Sequence, residues 1–94
     1  MANYLARVEL HKATYDDYET LHAAMSRRGF GRTIVSNDGT TYRLPTGTYV
    51  VEGTNATLER AYDAAVAAAA DTGKSSWVIA VDWSAARFAL EAVR

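Results

Sequence analysis

Two histidines and a small group of arginines are the residues of this 94-residue chain best suited to chemistry at neutral pH. Histidine titrates close to pH 7, which makes His11 and His22 the candidate general acids or bases. His11 closes the first extended run. It is either a proton-transfer group at a sheet edge or a solvated residue at a strand end. His22 follows Glu19 by three residues and precedes Ser26 by four, so all three share one helix surface. Glu19 can orient the imidazole as in a catalytic pair, or the imidazole can sit at the core boundary with a local partner. Arg27, Arg28 and Arg32, three cations within six residues, form the densest basic group together with Arg43. They read either as a phosphate-binding patch or as helix-dipole complements and solvated charge. Arg7, on the outward face of the first strand, extends that candidate RNA-binding set. Tyr4, Tyr42, Tyr49 and Trp83 stack bases if they face out of the sheet and belong to the core if they face in.

Other chemistries are excluded by residue type. The chain has no cysteine, which removes disulfides, thiolate zinc sites and cysteine nucleophiles and suits a reducing cytoplasm. Two histidines without a carboxylate cluster do not make a metal site, so no metal or cofactor is expected. No Gly-rich phosphate loop, Gly-x-Ser-x-Gly elbow or His-Glu-x-x-His occurs, and the run TGTYVVEG lacks the ribonucleoprotein-motif pattern. Ten Lys and Arg against eleven Asp and Glu give a net charge of -1, unlike a strongly basic nucleic-acid binder. The 49% hydrophobic content argues for a folded domain. No run is long enough to span a membrane, and the start carries no signal-peptide pattern, so a soluble cytoplasmic protein is expected.

The elements that must position these residues follow from periodicity. Tyr4 to His11 alternates, with Tyr4, Ala6, Val8 and Leu10 on one face and Leu5, Arg7, Glu9 and His11 on the other. A helix is expected over 15–28, started by Thr14 and stopped by Gly29, with Tyr18, Leu21, Met25 and His22 on one stripe. Short strands over 32–36, 40–44 and 48–52 flank the turn Asn37-Asp38-Gly39 and the single proline, Pro45. A second helix over 57–72 presents Leu58, Ala61, Tyr62, Ala65, Val66 and Ala69. A strand over 77–83 places Trp77, Ile79, Val81 and Trp83 on one face, and a C-terminal strand over 87–93 is expected to pair with it. The expected core is Val8, Leu10, Leu21, Met25, Val51, Tyr62 and Ile79. The order is that of a single α+β domain over 1–94, a ferredoxin-like βαββαβ arrangement with an antiparallel sheet, both helices on one face and the extra C-terminal strand.

The run ARVELHKATYDDYETLHAAMSRRGFGRTIVSNDGTTYRLPTGTYVV resembles the GhoS family of small bacterial proteins. These are the endoribonuclease antitoxins of type V toxin–antitoxin systems, with phage and prophage relatives. The matching features are V-E-L-H, T-Y-x-D-Y-x-x-L-H-x-A-M, G-F-x-R-T-I, D-G-x-x-Y-x-L-P-T and a Tyr-Val strand, over residues 6–51. The resemblance implies a ferredoxin-like fold, related in shape to the small nuclease subunit of CRISPR adaptation. It also implies binding and cleavage of a specific messenger RNA, that of a partner membrane toxin. On this reading His11 or His22 is base or acid in a metal-independent endoribonuclease, and the arginines hold phosphate. The alternative is a phage- or prophage-type accessory protein that inhibits a host protein or defence complex by binding it. A homodimer is expected in either case, because a small sheet leaves an edge and an open face to cover.

Overall fold

In a computed structural model, the described residues are 2–53, 56–83, 90 and 92–93. They form β1 (Ala2–Leu10), α1 (Tyr15–Arg27), β2 (Thr33–Val35), β3 (Thr41–Arg43), β4 (Thr48–Gly53), α2 (Leu58–Ala70) and β5 (Ser76–Asp82). β1 lies between β4 and β5 and is antiparallel to both. Its alternation is the one expected from sequence: Tyr4, Ala6, Val8 and Leu10 are buried, whereas Arg7 and Glu9 are exposed. The buried set packs with Leu21, Ala24 and Met25 of α1 and with the alanines of α2, so both helices cover the same face.

Helix α1 forms where its capping residues dictate. The Asp17 N–H donates to Thr14 Oγ1 at 3.3 Å, and the Thr14 N–H donates back to Asp17 Oδ2 at 2.9 Å. This reciprocal capping satisfies two donors that the first turn leaves open. The helix stops through Gly29, whose φ of +88° costs glycine little. The Phe30 N–H then reaches Met25 O at 3.1 Å and the Gly29 N–H reaches Ser26 O at 3.0 Å, while Phe30 folds into the core.

Two elements have the expected type and a different orientation. α2 buries Ala61, Ala65 and Ala69 of the expected stripe together with Ala68, but is rotated so that Leu58, Tyr62 and Val66 of that stripe are exposed. Four small side chains let the helix axis lie close to the sheet, and the larger residues beside them turn to solvent. β5 presents Val78 and Ala80 to the core, while Trp77, Ile79 and Val81 face outward. Tyr62, 45% exposed, and Ile79, 60% exposed, are therefore not core residues, contrary to expectation. Val8, Leu10, Leu21 and Met25 are buried, and Val51 packs against them.

The expected single sheet is split. β2 and β3 form a separate hairpin, tied to β4 by one antiparallel bridge between Gly31 and Val50, with hydrogen bonds of 2.7 and 2.9 Å. The ladder stops there because the Thr48 N–H is already committed to Pro45 O, at 3.0 Å, in the turn before β4. Of the expected C-terminal strand, residues 87–89 and 91 lie outside the described residues. Ala92 bridges Tyr42, and the Val93 N–H donates to Thr41 O at 2.9 Å, so its described end lies beside β3 rather than β5. Among the described residues no helix is long and apolar enough to cross a membrane.

Candidate functional site

The helix stripe of Tyr15, Glu19 and His22 meets the start of the hairpin at Arg32. The antiparallel Gly31–Val50 bridge sets Arg32 beside Tyr49, the neighbour of Val50 on β4. Tyr49 is fully buried, and its hydroxyl lies 2.7 Å from Nδ1 of His22. The two rings are tilted against each other with centroids 5.8 Å apart, and the Tyr18 ring is tilted against the imidazole with centroids 6.4 Å apart. Tyr18 is itself held in place by accepting the Leu10 N–H at 3.1 Å.

The hydrogen-bonding partners assign the proton. Burial pushes the Tyr49 hydroxyl up to about 12, so it stays protonated at neutral pH. Its O–H has no acceptor among the described residues except His22 Nδ1, so Tyr49 donates and Nδ1 accepts. The His22 proton then resides on Nε2. Burial, reinforced by the Arg32 charge and opposed by Glu19, holds His22 below its ordinary value, so the imidazole is neutral at pH 7. What His22 offers is an N–H donor, with Arg32 supplying the positive charge. Tyr15, 78% exposed at the first turn of α1, adds an open aromatic face whose hydroxyl Glu19 keeps protonated.

A pH dependence follows. The unfolded chain protonates His22 near its ordinary pKa of about 6.5, whereas the folded state does so only at lower pH. Its contribution to stability is complete above that range and is lost as pH falls through it. The melting temperature should drop between pH 7 and pH 5, and drop less in His22→Gln, which does not titrate. Asp17, held down by its bond from the Thr14 backbone, and Asp38, held down by the Ser36 hydroxyl, act only at more acidic pH. Equal drops for wild type and His22→Gln would contradict the assignment.

The remaining candidates are dispersed. His11 lies at the start of β5, not beside His22: its N–H donates to Ser75 O at 2.9 Å and its Nδ1 lies 3.2 Å from Ser75 Oγ. Its ring meets Trp77 edge-on at 4.7 Å, and its buried Nε2 is 3.9 Å from Glu9 Oε2, too far to hydrogen-bond. His11 and His22 share no hydrogen-bond partner among the described residues. Arg28 donates to Ala24 O at 3.0 Å and pairs with Asp71 at 3.1 Å, with Arg27 at 4.0 Å from the same carboxylate. Both arginines therefore tie the end of α1 to the end of α2. Arg7 lies on the open face of the sheet opposite Ile79, and Arg43 lies opposite Thr33 in the hairpin.

Sequence reasoning placed His22 and Arg32 in the candidate set and missed Tyr15 and Tyr49 as their partners. Tyr49 is 27 residues from His22 and meets it only through the fold. Tyr4 and Tyr49, weighed as base-stacking residues, are buried. A cleft of about 440 Å³ opens between β4 and the hairpin, lined by Asn3, Ile34, Val50, Glu52 and Trp83 among others, and none of the candidate histidines or arginines lines it. Among the described residues no group of His, Asp and Glu is arranged to hold a metal ion. No known protein-family model matches the chain, and no curated protein or solved structure matches it.

Proposed function

We propose that this protein binds single-stranded RNA in the cytoplasm through Tyr15, His22 and Arg32, in keeping with the GhoS-like pattern over residues 6–51. The observation that carries this reading is the Gly31–Val50 bridge, which brings the Arg32 cation to the Tyr49–His22 pair. Arg32 would contact a phosphate, the His22 Nε2–H would donate to a phosphate or ribose oxygen, and Tyr15 would stack on a base. The strand order β5-β1-β4, continued by the bridge to the hairpin, supports a ferredoxin-like arrangement with β2 loosely attached.

Binding is supported better than cleavage. A base for the ribose 2′-OH needs a free imidazole lone pair, and that of His22 is taken by the Tyr49 hydroxyl. A protein partner is supported by a separate observation, the outward Trp77, Ile79 and Val81 beside a single Arg7 balanced by Glu9.

The test is fluorescence anisotropy with labelled single-stranded RNA across a salt series. Arg32→Ala should weaken binding and make the log K against log salt slope shallower by about 0.7, the value for one phosphate on a single strand. Tyr15→Ala should cost about 1–3 kcal/mol if a base stacks there. Arg28→Ala should change affinity little, because Asp71 already holds that side chain. Equal affinity for wild type and Arg32→Ala would refute the site.

A further inference from the structure

Among the described residues, β5 is an edge strand with no strand on its outer side. It pairs with β1 only, and no other described strand lies along it. The Trp83 N–H donates to Asn3 O at 3.0 Å and the His11 N–H to Ser75 O at 2.9 Å, so the odd-numbered positions of this segment hydrogen-bond to β1. The N–H and C=O of Val78 and Ala80 therefore point to the free edge. Natural sheets blunt such an edge with lysine, proline or a bulge. The sequence of β5, Ser76-Trp77-Val78-Ile79-Ala80-Val81-Asp82, has no lysine or proline and pairs with β1 without interruption. Trp77 and Ile79 are 70% and 60% exposed on its outward face.

The strand is also complementary to itself. Turned antiparallel about Ile79, it sets Trp77 against Val81, Val78 against Ala80 and Ser76 against Asp82. Outward apolar residues then meet outward apolar residues, and inward ones meet inward ones.

We infer that β5 pairs with β5 of a second copy of this chain about a two-fold axis at Ile79, joining two three-stranded sheets into one of six strands. Val78 and Ala80 exchange backbone hydrogen bonds with Ala80 and Val78 of the second copy. Ile79 faces its own counterpart as a non-hydrogen-bonded pair, with Cα atoms about 4.5 Å apart. The interface is isologous and closes on itself.

The absence of native cysteine permits a direct test. Ile79→Cys places one thiol on each side of the axis, within the roughly 4.4–6.8 Å Cα separation that a disulfide spans. Trp77→Cys places the two thiols roughly 13 Å apart along the paired strands, beyond that reach. Under mild oxidation Ile79→Cys should cross-link nearly completely and Trp77→Cys at least ten-fold less. Light scattering of the wild type at tens of micromolar should give twice the chain mass, and Ile79→Lys, with like charges set face to face, should give the monomer with an unchanged circular dichroism spectrum. A monomeric wild type, or equal cross-linking of the two cysteine variants, would overturn the inference.

Discussion

Leu21→Ala is expected to remove about 2–5 kcal/mol of stability. Leu21 lies on the inner face of α1, is fully buried, and belongs to the cluster built from β1, α1, Tyr49 and the α2 alanines. Its neighbours are poorly placed to refill the space. The α2 residues that face this core are alanines, too short to reach into a cavity, and Tyr49 is held by His22. The loss is a large share of the roughly 5–15 kcal/mol that a small domain has in total. Urea unfolding at pH 7 reads it directly. A midpoint within experimental scatter of wild type would mean that α1 is rotated away from the sheet.

Gly47→Ala should be damaging for a different reason. Gly47 has a φ of +84°, and a Cβ built there would lie 2.5 Å from the backbone oxygen of Val8. That oxygen belongs to the central strand, and the Val8 N–H donates to Gly47 O at 2.7 Å, so neither group can yield without breaking the β1–β4 approach. The left-handed conformation alone costs a side chain about 1–2 kcal/mol. Gly39→Ala isolates that term, because Gly39 has a φ of +86° and a Cβ there meets nothing within 4 Å. Gly47→Ala should therefore lower stability by several kcal/mol and clearly more than Gly39→Ala. Equal effects would show that the Gly47 turn moves freely against β1.

These two sites also show what the sequence made legible. The inner face of β1, the Thr14 cap and the Gly29 stop follow from alternation and local chemistry, and the structure has all three. Leu21 and Met25 were identifiable as core because α1 has one apolar stripe. α2 was legible in part: of the stripe Leu58, Ala61, Tyr62, Ala65, Val66 and Ala69, the alanines are buried and the three larger residues are exposed. Hydrophobicity favours the larger side chains, whereas close packing against the sheet selects the smaller. β5 misleads in the same way. Its larger residues share a face, and period two does not say which face is covered when both are apolar. The separation of the β2–β3 hairpin depends on where Thr48 spends its N–H, a matter of turn geometry.

The candidate site was half legible. Histidine and arginine announce themselves by type, and the spacing of Glu19 and His22 suggested a local pair. Glu19 does act on His22 through its charge, but the hydrogen bond goes to Tyr49, brought there by the sheet register. The arginines at the end of α1 looked like the richest phosphate site in the sequence. Asp71, distant in the chain, takes up both Arg27 and Arg28, and the positive charge beside His22 is that of Arg32.

The most direct measurement is a titration of ¹⁵N-labelled protein with short single-stranded RNA, following backbone amides and the imidazole nitrogens. The free protein should show His22 Nε2 protonated and Nδ1 as acceptor at pH 7, as the Tyr49 bond requires. RNA should shift Tyr15, Glu19, His22 and Arg32 together, with the His22 Nε2 resonance among them, and these shifts should disappear in Arg32→Ala. Shifts centred instead on Arg7, Glu9 and Trp77 of the open sheet face, or no shifts at saturating RNA, would contradict the proposed site.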